Sequence, residues 1–314
     1  MKKFWSIIMT TLLATGLLVA CGQDGDKEQQ TQGEQQTEAV EAAFPVTVTD
    51  ALGREIKLER APEKIVSLAP SNTEILFSLN LGNEVVGVND MDDYPPAVAE
   101  KEKVGGIEFN IEKIIALQPD IVFAHEMSMF SLEPAMEQLE AAGVTVFVVK
   151  DAKTFEETYT TMEQMGTLTG KVAEAKEMVE SIKNKLADIQ AKVKGQEEKS
   201  AFVVVGMSPE IYAAGKNTFM DEMLKVINVK NVVEAESWPQ YSPEDFVASN
   251  PSTIIVTYEE DIDAVVNNPA FAEMDAVKND AVYMVDGSMT SRQGPRIADG
   301  VESIARAVYP ELFK

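Results

Sequence analysis

One stretch of this chain occurs twice. Asn110-Ile-Glu-Lys-Ile-Ile-Ala-Leu-Gln-Pro-Asp-Ile-Val-Phe123 returns in altered form as Ser242-Pro-Glu-Asp-Phe-Val-Ala-Ser-Asn-Pro-Ser-Thr-Ile-Ile255. The two align without a gap, so Asn110 matches Ser242, Glu112 matches Glu244, Ala116 matches Ala248 and Pro119 matches Pro251. Each copy reads as a side-chain cap, a short helix with Glu in its first turn, a stop at Pro and an apolar β-branched strand. A chain with this repeat is built from two similar halves. Its 314 residues and 45% apolar content suffice for two packed α/β units.

The remaining pattern gives the same architecture. Val46–Thr49 and Ile56–Leu58 flank a turn containing Gly53 and read as an edge hairpin. Short apolar strands follow at Ile65–Leu68, Val85–Val88, Ile121–Phe123 and Val144–Val149, with a helix at Thr73–Leu79 capped by Asn72 or Ser71. The second half repeats the alternation with strands at Ala201–Val205, Thr253–Val256 and Val282–Val285. Its helices are expected at Thr218–Ile227, Ser242–Ala248 and Arg296–Val308. Strands that alternate with helices predict mostly parallel sheets with ligand-facing loops at one end. Between the halves, apolar positions from Phe155 to Val193 keep a three-or-four spacing, interrupted at Gly166 and Gly170. Lys171–Lys194 is therefore expected as a helix of roughly 36 Å, long enough to pass from one unit to the other.

The N-terminus indicates export. Lys2 and Lys3 precede the apolar run Phe4 to Val19, and Leu18-Val19-Ala20-Cys21 ends it at the chain's single cysteine. This is the pattern of a signal peptide over residues 1–20, cleaved before a lipidated Cys21, with residues 21–43 as a polar tether to the outer face of the cell membrane. The expected folded parts are an N-terminal lobe at 44–150, a linking helix region at 151–194 and a C-terminal lobe at 195–314. With one cysteine, the chain has no internal disulfide.

A net charge of −25 argues against nucleic-acid binding, which needs basic surface. The chain has no Gly-rich phosphate loop, no Gly-x-Ser-x-Gly elbow and no His-Glu-x-x-His. With a single histidine, His125, a multi-histidine metal site is impossible. These features point away from an enzyme, with a metal-dependent hydrolase or lyase, or a purely structural lipoprotein, as the competing classes. His125 follows a strand, where open α/β sheets place ligands, or else it is a surface loop residue. Trp238 and Tyr212 are loop aromatics suited either to a pocket or to simple packing. Arg292 and Arg296 bracket Gln293-Gly-Pro295, where a guanidinium can meet an anionic group or pair on the surface. Glu112 and Glu244 each favour their own helix dipole, yet at matched positions of two lobes they also form a pair of acidic knobs for two basic sockets.

Ser67-Leu-Ala-Pro-Ser-Asn-Thr-Glu-Ile75, Val86-Gly-Val88, Asp93-Tyr-Pro-Pro96, the first copy of the repeat, Trp238-Pro-Gln240 and Gly294-Pro-Arg-Ile297 occur in this order along the chain. Together they resemble the solute-binding proteins of ABC importers for cobalamin, iron siderophores and haem, most closely the vitamin B12-binding branch. The resemblance implies two Rossmann-like lobes joined by one long helix, little hinge motion and a monomer without cofactor that catalyses nothing. It implies a corrinoid ligand, or alternatively an iron siderophore or haem. It also implies that Glu112 and Glu244 dock onto the two permease subunits, which work with their ATPase. Trp238 and Tyr212 match cleft aromatics of the family, and Arg292 falls near a charged cleft residue. His125 and Met91 stand where the cobalamin binders carry aromatics, and Gly105-Gly106 replaces a further tryptophan. These departures from the cobalamin binders' pattern leave fewer stacking faces for a flat corrin and put at His125 and Met91 side chains able to coordinate a metal such as haem iron axially.

Overall fold

A computed structural model of the chain describes residues 43–313. The expected signal peptide, Cys21 and all but the last residue of the tether lie outside the described residues. The hairpin forms as β1 (Val46–Thr49) against β2 (Glu55–Leu58), a separate two-stranded sheet. Its turn is held by Asp50, whose carboxylate accepts from the Leu52 and Arg54 amides, and by Gly53 at a φ of 76°.

The first lobe continues with β3 (Ile65–Ser67), α1 (Pro70–Ser78), β4 (Val85–Val88), β5 (Glu102–Lys103), α2 (Ile111–Leu117), β6 (Ile121–His125), α3 (Met129–Ala141) and β7 (Thr145–Val149). The strands lie in the order β5-β4-β3-β6-β7, and every pair is parallel. The chain moves outward from β3 to β4 and in the opposite direction from β6 to β7. A crevice therefore opens beyond the carboxyl ends of β3 and β6. The hairpin turn docks at the β7 edge, where the Ala51 amide donates to the Val148 carbonyl at 2.9 Å.

Two local expectations change here. Helix α1 starts at Pro70 with Ala69 as its cap and no side-chain capping bond. Pro suits this first position because it needs no amide partner there. Asn72 is buried instead, and its Nδ2 donates to the Ala124 carbonyl at 3.0 Å, tying α1 to the end of β6. Strand β6 also runs two residues further than expected, which makes His125 its last residue.

Between the lobes, α4 (Phe155–Thr169) and α5 (Val172–Val193) form a helical pair. Gly170 ends α4 at a φ of 77°. Gly166 does not interrupt it. A Cβ there would lie 2.4 Å from that of Ala175, so glycine is what lets the two helices touch. The α5 row Ala175, Val179, Ile182, Leu186, Ile189 and Val193 is buried, and its 22 residues span about 33 Å.

The second lobe comprises β8 (Lys199–Gly206), β9 (Ile211–Ala213), α6 (Phe219–Val226), β10 (Val229–Asn231), β11 (Gln240–Tyr241), α7 (Pro243–Ser249), β12 (Thr253–Val256), α8 (Glu259–Val266), α9 (Asp275–Lys278), β13 (Val282–Met284), α10 (Gly287–Ser291) and α11 (Ile297–Val308). Strands β10, β8, β12 and β13 pair in parallel, while β9 and β11 add an antiparallel edge beside the end of β8. The protein is thus α/β, with two lobes of mostly parallel sheet flanked by helices.

The strands are apolar on both faces because helices cover both. Outer cores form under α2 and α3 in the first lobe and under α7 and α8 in the second. One inner core is continuous across both lobes. It joins Ile65, Ile75 and Phe123 to the α4–α5 pair, and these to Val203, Met223, Ile255 and Ile304. Such a core resists independent movement of the two sheets.

The two copies of the repeat become α2 and α7, each of seven residues. Asn110 Oδ1 accepts from the Lys113 amide at 2.9 Å, and Ser242 Oγ from the Asp245 amide at 3.0 Å. Each helix anchors through one buried side chain, Ile114 or Phe246, and ends at a left-handed residue, Gln118 or Asn250, before its proline.

Candidate functional site

The crevice predicted by the strand order holds a cleft of about 260 Å³. The segments after β3 (Leu68 to Ser71), after β4 (Asn89, Met91) and after β5 (Gly106, Ile107) supply its first-lobe walls, together with His125 and the start of α3. Ser291, Arg292 and Gln293 reach it from the second lobe. The rim is apolar and uncovered. Met91 is 65% exposed, Ile107 71%, Met127 61% and Phe130 73%. Side chains of this size are normally buried, and four around one cavity mark a surface that receives something apolar.

The wall beneath is polar and hydrogen-bonded. Asn89 Nδ2 donates to the Leu68 carbonyl at 2.9 Å, and its Oδ1 accepts from the Met91 amide at the same distance. His125 is buried, and its Nδ1 accepts from the Met127 amide at 3.3 Å. Burial pushes the imidazole pKa down, outweighing the opposite pull of Asp151 and Glu126. With Nδ1 accepting, the neutral imidazole carries its proton on Nε2.

Arg292 and Arg296 meet carboxylates of the first lobe. Glu74, on α1 and fully buried, accepts from Arg292 Nη1 at 2.9 Å, from Arg296 Nε at 2.8 Å and from Arg296 Nη2 at 2.6 Å. Asp93 takes a second bond from Arg292 Nη1 at 2.6 Å, which holds its carboxyl below the usual range. The Arg296 guanidinium also lies 4.1 Å from the centre of the Tyr94 ring. Next to this cluster, Asp92 accepts from Thr73 Oγ1, while its Oδ1 has no partner. Burial raises the Asp92 pKa to about 6, against the lowering effects of Thr73, Lys103 and Arg292.

Of the residues expected from sequence, His125, Met91 and Arg292 therefore line one cleft. Tyr212 and Trp238 lie elsewhere, on the antiparallel edge of the second lobe. Tyr212 sits on β9 opposite Gln240, with Trp238 two residues before that partner. Both rings are exposed, and neither lines this cleft. Ile107, Met127, Phe130 and Glu74 escaped the sequence reading. The apolar run Met127-Ser-Met-Phe130, directly after a strand ending in histidine, was the available signal. Glu112 and Glu244 are exposed in the first turns of α2 and α7. Among the described residues, no group of three or more His, Cys, Asp or Glu side chains is arranged to hold a metal ion. No helix among them is long and apolar enough to cross a membrane.

Residues 65–289 match the family model described as periplasmic binding protein, a span that includes the sheets of both lobes and the first-lobe walls of the cleft. The chain belongs to the periplasmic binding protein family. Over 318 aligned positions it is 43% identical to an uncharacterized ABC transporter substrate-binding lipoprotein, YvrC, of Bacillus subtilis, covering all of both chains. It is 32% identical to a vitamin B12-binding protein of Salmonella typhimurium over 62% of this chain and 73% of that one. A periplasmic heme-binding protein of Pseudomonas aeruginosa shares its fold at a TM-score of 0.72 and 26% identity, over 79% of this chain and 93% of that one. This periplasmic binding protein is the solute-binding component of an ABC transporter. Its relatives are binding proteins rather than enzymes.

Proposed function

We propose that this periplasmic binding protein captures a corrinoid in the cleft between its lobes and delivers it to an ABC permease without catalysing a reaction. The observation that carries this reading is the chemistry of the cleft. Four exposed apolar side chains form its rim, and Arg292, the one Lys or Arg among the lining residues, is already bonded to Glu74 and Asp93. Such a site favours a large ligand with apolar faces and uncharged amide arms over an anionic chelate. The likeness to a vitamin B12-binding protein supports the same ligand class. A cleft of about 260 Å³ holds only part of a corrinoid. The remainder is assigned to Tyr212 and Trp238 on the second lobe.

Haem is the second reading, favoured by the likeness to a heme-binding protein. Two features count against it. Haem propionates call for free cations, and an imidazole that ligates iron through Nε2 keeps its proton on Nδ1, whereas Nδ1 of His125 accepts a hydrogen bond. Met91 remains placed to approach a bound metal.

In this reading Glu112 and Glu244 meet the two permease subunits, whose ATPase drives uptake. Cys21 carries the lipid that holds the protein, as a monomer, at the outer face of the membrane. Parallel titrations of the full chain with cyanocobalamin, haem and ferric hydroxamate and catecholate complexes, followed by tryptophan fluorescence, test the assignment. Saturable quenching by cyanocobalamin supports it. Binding of an iron complex with no response to cyanocobalamin refutes it.

A further inference from the structure

The loop after β4 reaches the second lobe with two consecutive side chains, Asp93 to Arg292 and Tyr94 to Arg296. The cluster they join contains two guanidiniums, and Glu74 alone balances one of them. Asp93 balances the other. The two carboxylates are placed very differently, because the Glu74 side chain is 1% exposed while that of Asp93 is 64% exposed. Arg292, bonded to both, lines the cleft. Its buried partner is fixed inside the protein, and its second partner stands in solvent beside the cleft.

We propose that Asp93 is a specificity-determining residue that occupies Arg292 in place of a ligand acid, and so biases the cleft against carboxylate-bearing chelates and towards uncharged macrocycles. This deepens the corrinoid reading and rests on it for the identity of the favoured ligand. Both of these Arg292 bonds leave from Nη1, so an incoming carboxylate can still reach the guanidinium, but it meets a charge that Asp93 already offsets and gains correspondingly less attraction. It also adds a third acid beside Glu74 and Asp93, facing two arginines. Asp92, next in the chain and buried against the same cluster, adds further negative potential once ionised. A ligand whose polar arms are amides meets no such loss. Discrimination therefore comes from a group that disfavours the wrong ligand as well as from contacts that favour the right one. Removing the Asp93 charge makes the potential around Arg292 at the cleft wall less negative, which favours binding an acid.

The test compares the full chain with its Asp93→Asn and Asp93→Ala variants, using iron protoporphyrin IX and its dimethyl ester as probes and the Soret band as readout. The ester has the same apolar faces without the two carboxylates. Both variants are expected to bind the free acid about tenfold or more tightly than the unaltered chain, the gain from one charge-assisted hydrogen bond, with no comparable gain for the ester. No gain for the free acid, or an equal gain for the ester, overturns the proposal. Cyanocobalamin titration of the unaltered chain decides the corrinoid reading separately, since the porphyrin comparison between chains does not depend on it.

Discussion

Glu74 and Arg296 form a two-point ion pair across the lobes, with Nε 2.8 Å from one carboxylate oxygen and Nη2 2.6 Å from the other. Glu74 belongs to α1 of the first lobe, and Arg296 caps α11 of the second. Replacing Glu74 by Gln or Ala leaves two half-buried guanidiniums without their common partner. Breaking a buried pair from one side costs about 3–5 kcal/mol. Urea unfolding is expected to lose that much stability with little change in slope. A loss under about 1 kcal/mol contradicts this account of the cluster.

Asp92 gives the protein an unusual pH dependence. Its pKa rises from 3.8 to about 6 on folding, so the folded state holds the proton more tightly than the unfolded chain does. The resulting stabilisation is present below the unfolded value and is lost as pH rises through about 6, the reverse of the usual carboxylate. Asp92→Asn, which does not titrate, removes this component. The stability of the variant relative to the unaltered chain is expected to grow by about 2 kcal/mol between pH 4 and 7. A difference that stays flat with pH refutes the assignment.

Phe130 is exposed at the cleft rim, so Phe130→Ala is expected to change stability by no more than about 0.5 kcal/mol. If its ring is covered by ligand, cyanocobalamin affinity falls about ten- to a hundredfold, the cost of forgoing burial of one aromatic side chain. Calorimetry on the variant checks both statements. Unchanged affinity places the ligand away from this rim.

In the proposed reading, Glu112 and Glu244 serve docking to the permease and take no part in the cleft. The double Ala variant is expected to bind ligand with unchanged affinity and to stimulate the cognate permease's ATP hydrolysis about tenfold less or worse. Normal stimulation by the double variant removes these residues from the docking assignment.

Much of the scaffold was legible because it rests on periodicity and capping. Asn110 and Ser242 cap their helices as expected, and the alternating apolar runs become parallel strands. The short strands β5, β9, β10 and β11, of two or three residues each, carry too few positions for any period to show. The cap of α1 was misassigned because Asn72 has a tertiary partner, the end of β6, that local sequence does not reveal. The same limit governed the site. His125, Met91 and Arg292 come together along one cleft, whereas Glu74 looked like an ordinary helix residue. Its partners lie more than two hundred positions away and meet it only when the lobes close over the inner core. Ile107 and Phe130 drew no functional reading from the sequence, and only their exposure at the cleft rim in the folded protein sets them apart.

In the proposed reading the cleft takes an uncharged corrinoid. Calorimetric titration of the full chain with cyanocobalamin should then show saturable one-to-one binding at micromolar concentration or tighter, with a negative heat-capacity change from covering the apolar rim. Absence of any binding heat across several temperatures, in a preparation that binds haem or a ferric siderophore, contradicts it.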